Sequence, residues 1–97
     1  MRTLSEIRTT LRAHAEGLRE RYGMTGLAVF GSVARGEASE SSDVDVLVSL
    51  ERPLGLLRLV NAENYLSGLL GVRVEVVPRR EVRPELQERI YREAVSV

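Results

Sequence analysis

Asp43 and Asp45 are the only aspartates in a chain whose other acidic residues are all Glu. Asp43–Leu50 alternates, with Val44, Val46 and Val48 between Asp43, Asp45 and Leu47, and this predicts a strand. Side chains two apart on a strand share a face about 6.5–7 Å apart, so both carboxylates project together. A later strand, predicted over Val72–Val77, puts Arg73, Glu75 and Val77 on one face and Val72, Val74 and Val76 on the other. If the two strands are neighbours with their valines toward the helices, Glu75 joins the two Asp. Like charges about 4 Å apart cost roughly 4 kcal/mol at an effective dielectric of 20, and cross-strand pairs suffer in the same sense. Such a trio calls for a cation. Oxygen donors without His or Cys select Mg²⁺, and also suit Mn²⁺, over zinc.

Magnesium held by carboxylates usually shares its shell with substrate phosphates. The chain offers a place for them. Gly31-Ser32 follows the apolar run Leu27–Phe30 and leads into Val33-Ala34-Arg35 as a helical first turn. Backbone N–H groups of such a turn and the Ser32 hydroxyl suit a phosphate. Gly31 permits close backbone approach, and Arg35 adds a bidentate positive charge. A phosphate cradle facing metal-binding carboxylates describes a nucleoside triphosphate site. In two-metal catalysis one ion activates the attacking oxygen while the other neutralises the leaving oxygen.

The elements that must position these groups follow from periodicity. Leu4, Ile7, Leu11, Ala15, Leu18 and Tyr22 predict one amphipathic helix from Ser5 to Tyr22, capped by Thr3 or Ser5 and stopped by Gly23. Leu27–Phe30 reads as a buried strand and the Gly/Ser/Ala-rich stretch 31–42 as a functional loop. Pro53 is placed at the first turn of a helix carrying Leu54, Leu57, Val60, Leu66, Leu69 and Leu70 and closed by Gly71. Pro84 opens a last helix with Leu86, Ile90 and Ala94 in register. The order is α-β-loop-β-α-β-α, an α/β (α+β) layer fold with a small mixed three-stranded sheet covered on one face by helices.

Composition sets the outer bounds. At 97 residues the chain is a single domain, 1–97, with one modest core. Equal numbers of basic and acidic residues give no net charge, so no direct nucleic-acid binding is expected. All basic residues are Arg, and from that we read no function. Without cysteine there are no disulfides, thiolate zinc sites or Cys nucleophiles. No apolar run approaches the roughly 20 residues of a membrane helix, and the start lacks a signal peptide. A cytoplasmic protein is expected.

Phe30-Gly31-Ser32-Val33-Ala34-Arg35-Gly36-Glu37, with Ser42-Asp43-Val44-Asp45-Val46-Leu47-Val48, resembles the signature of the DNA polymerase β-type nucleotidyltransferase superfamily. Val74-Glu75-Val76-Val77 and the closing Arg89–Val95 extend the likeness to its minimal nucleotidyltransferases, small antitoxin-type proteins encoded beside HEPN-domain partners. The resemblance implies that Asp43 and Asp45 bind two Mg²⁺, that Glu75 completes the catalytic triad, and that Gly31 and Ser32 hold the triphosphate of ATP. It implies transfer of AMP to a hydroxyl, which can be a tyrosine on a HEPN toxin, and a hetero-oligomer with that toxin. Family members often carry Asp where this chain has Glu75. The extra methylene moves the carboxylate about 1.5 Å, and misplacements near 1 Å can cost ~100-fold in rate.

Blander readings stand beside these. The alternative function is a catalytically weak nucleotide- or partner-binding module that neutralises a toxin by covering it. Transfer to a small molecule ranks last, since such relatives usually carry an added domain. His14 reads as a packed helical residue, and Tyr22, Tyr65 and Tyr91 as half-buried packing residues. Arg35 has a rival role, pairing with Glu37. Arg79, Arg80 and Arg83 form a basic cluster, and exposed apolar residues of the outer helices are expected to meet the partner.

Overall fold

A computed structural model describes residues 3–39 and 41–97. The chain runs α1 (Leu4–Ala13), α2 (Ala15–Tyr22), β1 (Met24–Phe30), β2 (Val44–Leu50), α3 (Leu56–Leu70), β3 (Val74–Pro78), α4 (Pro84–Glu93) and β4 (Val95–Ser96), with a 3₁₀ turn at Arg79–Glu81. The sheet order is β3-β2-β1-β4. β1 is antiparallel to β2 and β4, while β2 and β3 are parallel and joined by α3. The mixed α/β character is as expected, but the sheet has four strands where periodicity gave three. Two residues, Val95 and Ser96, form the extra edge strand opposite Val29 and Ala28. So short a segment carries no alternation of its own.

Thr3 is the cap of α1. Its hydroxyl accepts from the Glu6 N–H at 3.1 Å, and its own N–H donates to Glu6 Oε1 at 2.9 Å, a capping box. The single helix expected over Ser5–Tyr22 is broken at His14. There the ring Nδ1 and the backbone N–H both meet the Thr10 carbonyl, at 2.9 and 3.3 Å, and the N–H also reaches Leu11 O at 3.2 Å. A carbonyl oxygen only accepts, so Nδ1 carries the proton, and this shared bond loosens the helical ladder. β1 begins at Met24, earlier than expected, because Gly26 (φ +56°) sits in a β-bulge rather than ahead of the strand. α3 begins at Leu56 with Gly55 as N-cap, not at Pro53. Leu54 and Leu59, flanking that start, both pack on the core, the N′ and N4 positions of a hydrophobic staple.

The main core lies between one sheet face and α1–α3. Ile7, Leu11, Leu18, Val29, Val44, Val46, Val48, Ala62 and Leu66 are fully buried there. α3 also serves the edge strand β3: Ser67 Oγ accepts from Val74 N at 2.9 Å and Glu63 Oε2 from Val76 N at 2.8 Å. Helices do not cover one face alone, as sequence suggested. α4 crosses the opposite face, where Ala28, Leu47 and Val82 form a second cluster joined by Phe30, Val77, Ile90 and Ala94. Asp43, Asp45 and Glu75 belong to that second face. No helix among the described residues is long and apolar enough to cross a membrane.

Candidate active site

Strand register brings the carboxylates together. Asp45 lies opposite Phe30 on β1 and Glu75 on β3, so the valines take the face covered by α1–α3 and Asp45 and Glu75 stand side by side on the face that α4 crosses. Asp43 immediately precedes β2, and Arg73 reaches it at 3.9 Å in an exposed pair. Asp45 is half-buried whereas Glu75 is exposed. Burial first, then repulsion from Glu75 and Asp43, pushes the Asp45 carboxyl up to about 6, with Arg35 pulling the other way. The side-by-side carboxylates inferred from alternation are therefore electrostatically coupled, with Asp45 at the centre.

The turn after β1 wraps this centre. Gly31 adopts φ +78°, and a Cβ there would fall 2.3 Å from Asp45 Oδ2. No side chain fits. Arg35 N donates to Gly31 O at 3.1 Å and Glu37 N to Ser32 O at 2.9 Å, and buried Val33 anchors the turn in the main core. Among the described residues the N–H groups of Ser32, Val33 and Ala34 have no acceptor, although the expected helical start is a single turn that does not continue into a helix. They are free for an anion.

Arg35 occupies the turn but is engaged. Its Nε lies 3.4 Å from Glu37 Oε2 and its NH1 3.2 Å from Glu93 Oε2, and Glu93 first, then Glu37, raises its pKa. The rival pairing with Glu37 thus exists, and sequence reasoning missed Glu93. Arg89 contacts Glu93 from the preceding turn at 3.4 Å. Phe30, Gly31, Arg35, Leu86, Arg89, Ile90 and Glu93 line a cavity of about 210 Å³ beside the turn. The i, i+4 spacing of Arg89 and Glu93 was the only local signal, and it reads equally well as a solvated helix face.

Could divalent ions sit here? Among the described residues, no three acidic or imidazole groups form a ready-made cage. Asp45 instead links Asp43 and Glu75 as a chain of oxygen donors facing an anion-ready turn. An oxygen-only set of this kind suits Mg²⁺ completed by phosphate oxygens. The residues fit the group.

Comparison with known proteins gives the family. Residues 11–97 match the family model described as a nucleotidyltransferase domain. The protein adenylyltransferase MntA of Thermococcus cleftensis is 45% identical over 97 residues, covering 100% of this chain and 98% of that protein. A solved minimal nucleotidyltransferase superposes with a TM-score of 0.81 at 43% identity, over 99% of this chain and 97% of that one. A toxin–antitoxin crystal structure with AMP-PNP shares the fold, with a TM-score of 0.76 at 19% identity over 92% of this chain and 70% of that one. The chain belongs to the nucleotidyltransferase-domain family, as a minimal nucleotidyltransferase of the kind that includes the protein adenylyltransferases.

Proposed function

We propose that this enzyme transfers AMP from ATP to a hydroxyl, on tyrosine, of a HEPN-domain toxin and so acts as its antitoxin in the cytoplasm. The observation that carries the reading is Asp45, held between Asp43 and Glu75 and pressed against Gly31. The name of the Thermococcus relative and the fold shared with the toxin–antitoxin pair support it. The acceptor oxygen attacks the α-phosphorus, the bond to the bridging oxygen breaks, and pyrophosphate leaves with that electron pair. Asp43, Asp45 and Glu75 are the residues that would hold two Mg²⁺ (or Mn²⁺). When bound, such ions supply charge neutralisation at the attacking and leaving oxygens. Gly31, Ser32 and the N–H groups after them grip the phosphates, and Arg35 turns from Glu93 toward them. Glu75, the exposed member of the trio, is the carboxylate that an acceptor hydroxyl arriving from solvent meets first, and it takes the hydroxyl proton.

Labelled ATP, Mg²⁺ and the toxin are the direct test. Wild type is expected to label the toxin, and Asp45→Ala to leave it unlabelled; equal labelling by both would reject the assignment. Glu75→Ala is expected to lower turnover by about 10²–10⁴-fold, the usual worth of a positioned acid–base group. Glu75→Asp, which draws the carboxylate back by about 1.5 Å, is expected to lower turnover by up to ~100-fold. Initial rates at saturating ATP check both.

The second reading, a binding module that silences the toxin by covering it, draws on Arg35 being committed to Glu37 and Glu93. It predicts that the Asp43→Ala, Asp45→Ala double variant still rescues cells from the toxin. The enzymatic reading predicts loss of rescue.

A further inference from the structure

At the end of the sheet remote from Asp45, the start of α3 exposes large apolar side chains. Leu56 is 75% exposed, Leu57 86% and Val60 43%. They sit on adjoining positions of the first turns, and Leu57 also lines a depression of about 430 Å³ with Arg21, Tyr22, Arg58 and Asn61. Leaving leucines this open on the first turns of one helix gains the fold nothing, and such patches mark interaction sites.

The surrounding charge says what covers them. Arg21 and Arg58 line the depression beside Leu57 and Arg52 precedes α3 in the chain, and among the described residues none of the three has a carboxylate within ion-pair distance. All three are nonetheless fixed in place. The Arg21 guanidinium lies 5.0 Å from the Tyr65 ring centre and that of Arg58 5.3 Å from the Tyr22 ring. Arg58 also donates to the Arg21 carbonyl, and Arg52 donates to the Glu20 carbonyl at 3.0 Å. Arginines already ordered on aromatic faces lose little freedom when they meet a carboxylate, and Arg with aromatics dominates interface hot spots. A second copy of this chain fits badly, because a two-fold pairing would set these uncompensated cations against one another.

We propose that the start of α3, with Arg21, Arg52 and Arg58, docks an acidic amphipathic helix of the toxin. That helix would lay its apolar face on Leu56, Leu57 and Val60 and its flanking carboxylates on the arginines. The inference rests on the toxin reading above. α3 starts beyond the far end of β2, about 17 Å along the strand from Asp45 at 3.3–3.4 Å per residue. Docking and chemistry are therefore separate surfaces, and each can be disabled alone.

Titration calorimetry of the full chain with the toxin, at two salt concentrations, tests this. Leu57→Asp is expected to weaken the complex at least 100-fold, and Arg58→Glu at least tenfold with a smaller dependence on salt. Both variants should bind a non-hydrolysable ATP analogue with Mg²⁺ as wild type does, which shows that they are folded. If wild type forms no complex with the toxin, the toxin reading itself falls. If wild type binds and Leu57→Asp binds equally well, the docking surface is wrong and the toxin reading survives. A wild-type dimer in sedimentation that Leu57→Asp dissociates would assign the patch to a second copy and overturn the proposal, as would poly(U) binding lost in Arg58→Glu while the toxin still binds.

Discussion

Asp45→Asn removes AMP transfer and, with no metal present, makes the protein more stable above pH 6. The loss of activity is expected to reach about 10³-fold, because one central charge of the oxygen cluster disappears where charge must be neutralised. The gain in stability follows from linkage. The Asp45 carboxyl is pushed from 3.8 up to about 6 by burial and by Glu75 and Asp43. A raised acid pKa means that the folded state holds the proton more tightly than the unfolded chain, so stability is lost as pH rises through the interval from about 4 to 6. At 1.36 kcal/mol per unit the ceiling is about 3 kcal/mol, and half-exposure to solvent reduces it to about 1 kcal/mol. In a domain of this size that is a Tm rise of roughly 4–8 °C. The Asn side chain can still donate to Glu75, the bond that protonated Asp45 makes. Thermal melts in chelator should show the variant above wild type at pH 7.5 and level with it at pH 4. A variant less stable than wild type at pH 7.5 would contradict the electrostatic account.

The second large effect is at Gly31. Gly31→Ala drives a methyl to 2.3 Å from Asp45 Oδ2 and 3.3 Å from its Cγ, at a φ of +78°. The backbone alone costs about 1–2 kcal/mol in that region, and the carboxylate must move as well. Displacing a reacting group by about 1 Å is enough for a loss of ~100-fold. Gly36 supplies the control. Its φ is +74° and an added Cβ meets nothing within 4 Å, so Gly36→Ala carries the conformational cost without the collision. The expected result is a fall in Tm for both variants, larger in Gly31→Ala, with transfer rate collapsing only in Gly31→Ala. Equal rates would show that the close approach to Asp45 has no catalytic meaning.

These residues were legible in the sequence because alternation on two strands fixes which side chains share a face. Val44, Val46 and Val48 against Asp43 and Asp45, and Val74 and Val76 against Glu75, left one arrangement in which the valines meet the helices, and the parallel register realises it. Gly31 was legible as a turn residue, though not the reason, which is the carboxylate across the strand. What pattern could not reveal is tertiary. β4 is two residues long and exists through its pairing with β1. The break at His14 comes from a side chain competing for the Thr10 carbonyl within an unbroken apolar stripe. The passage of α4 over the face that carries Asp45 and Glu75, and with it the Glu93 grip on Arg35, depends on Val82, Ile90 and Ala94 choosing the side of Ala28 and Leu47. Helical periodicity is silent on that choice.

Asp45, half-buried and repelled by Glu75 and Asp43, is the charge that bound ions and a phosphate tail would relieve. Mn²⁺ titrated into the protein with a non-hydrolysable ATP analogue, with bound and free ion counted by electron paramagnetic resonance, addresses it most directly. Two ions per chain at pH 7.5, markedly weaker binding below pH 6 as protons compete for Asp45, and none held tightly by Asp45→Asn are expected. Ion binding that ignores both pH and the loss of Asp45 would contradict the account.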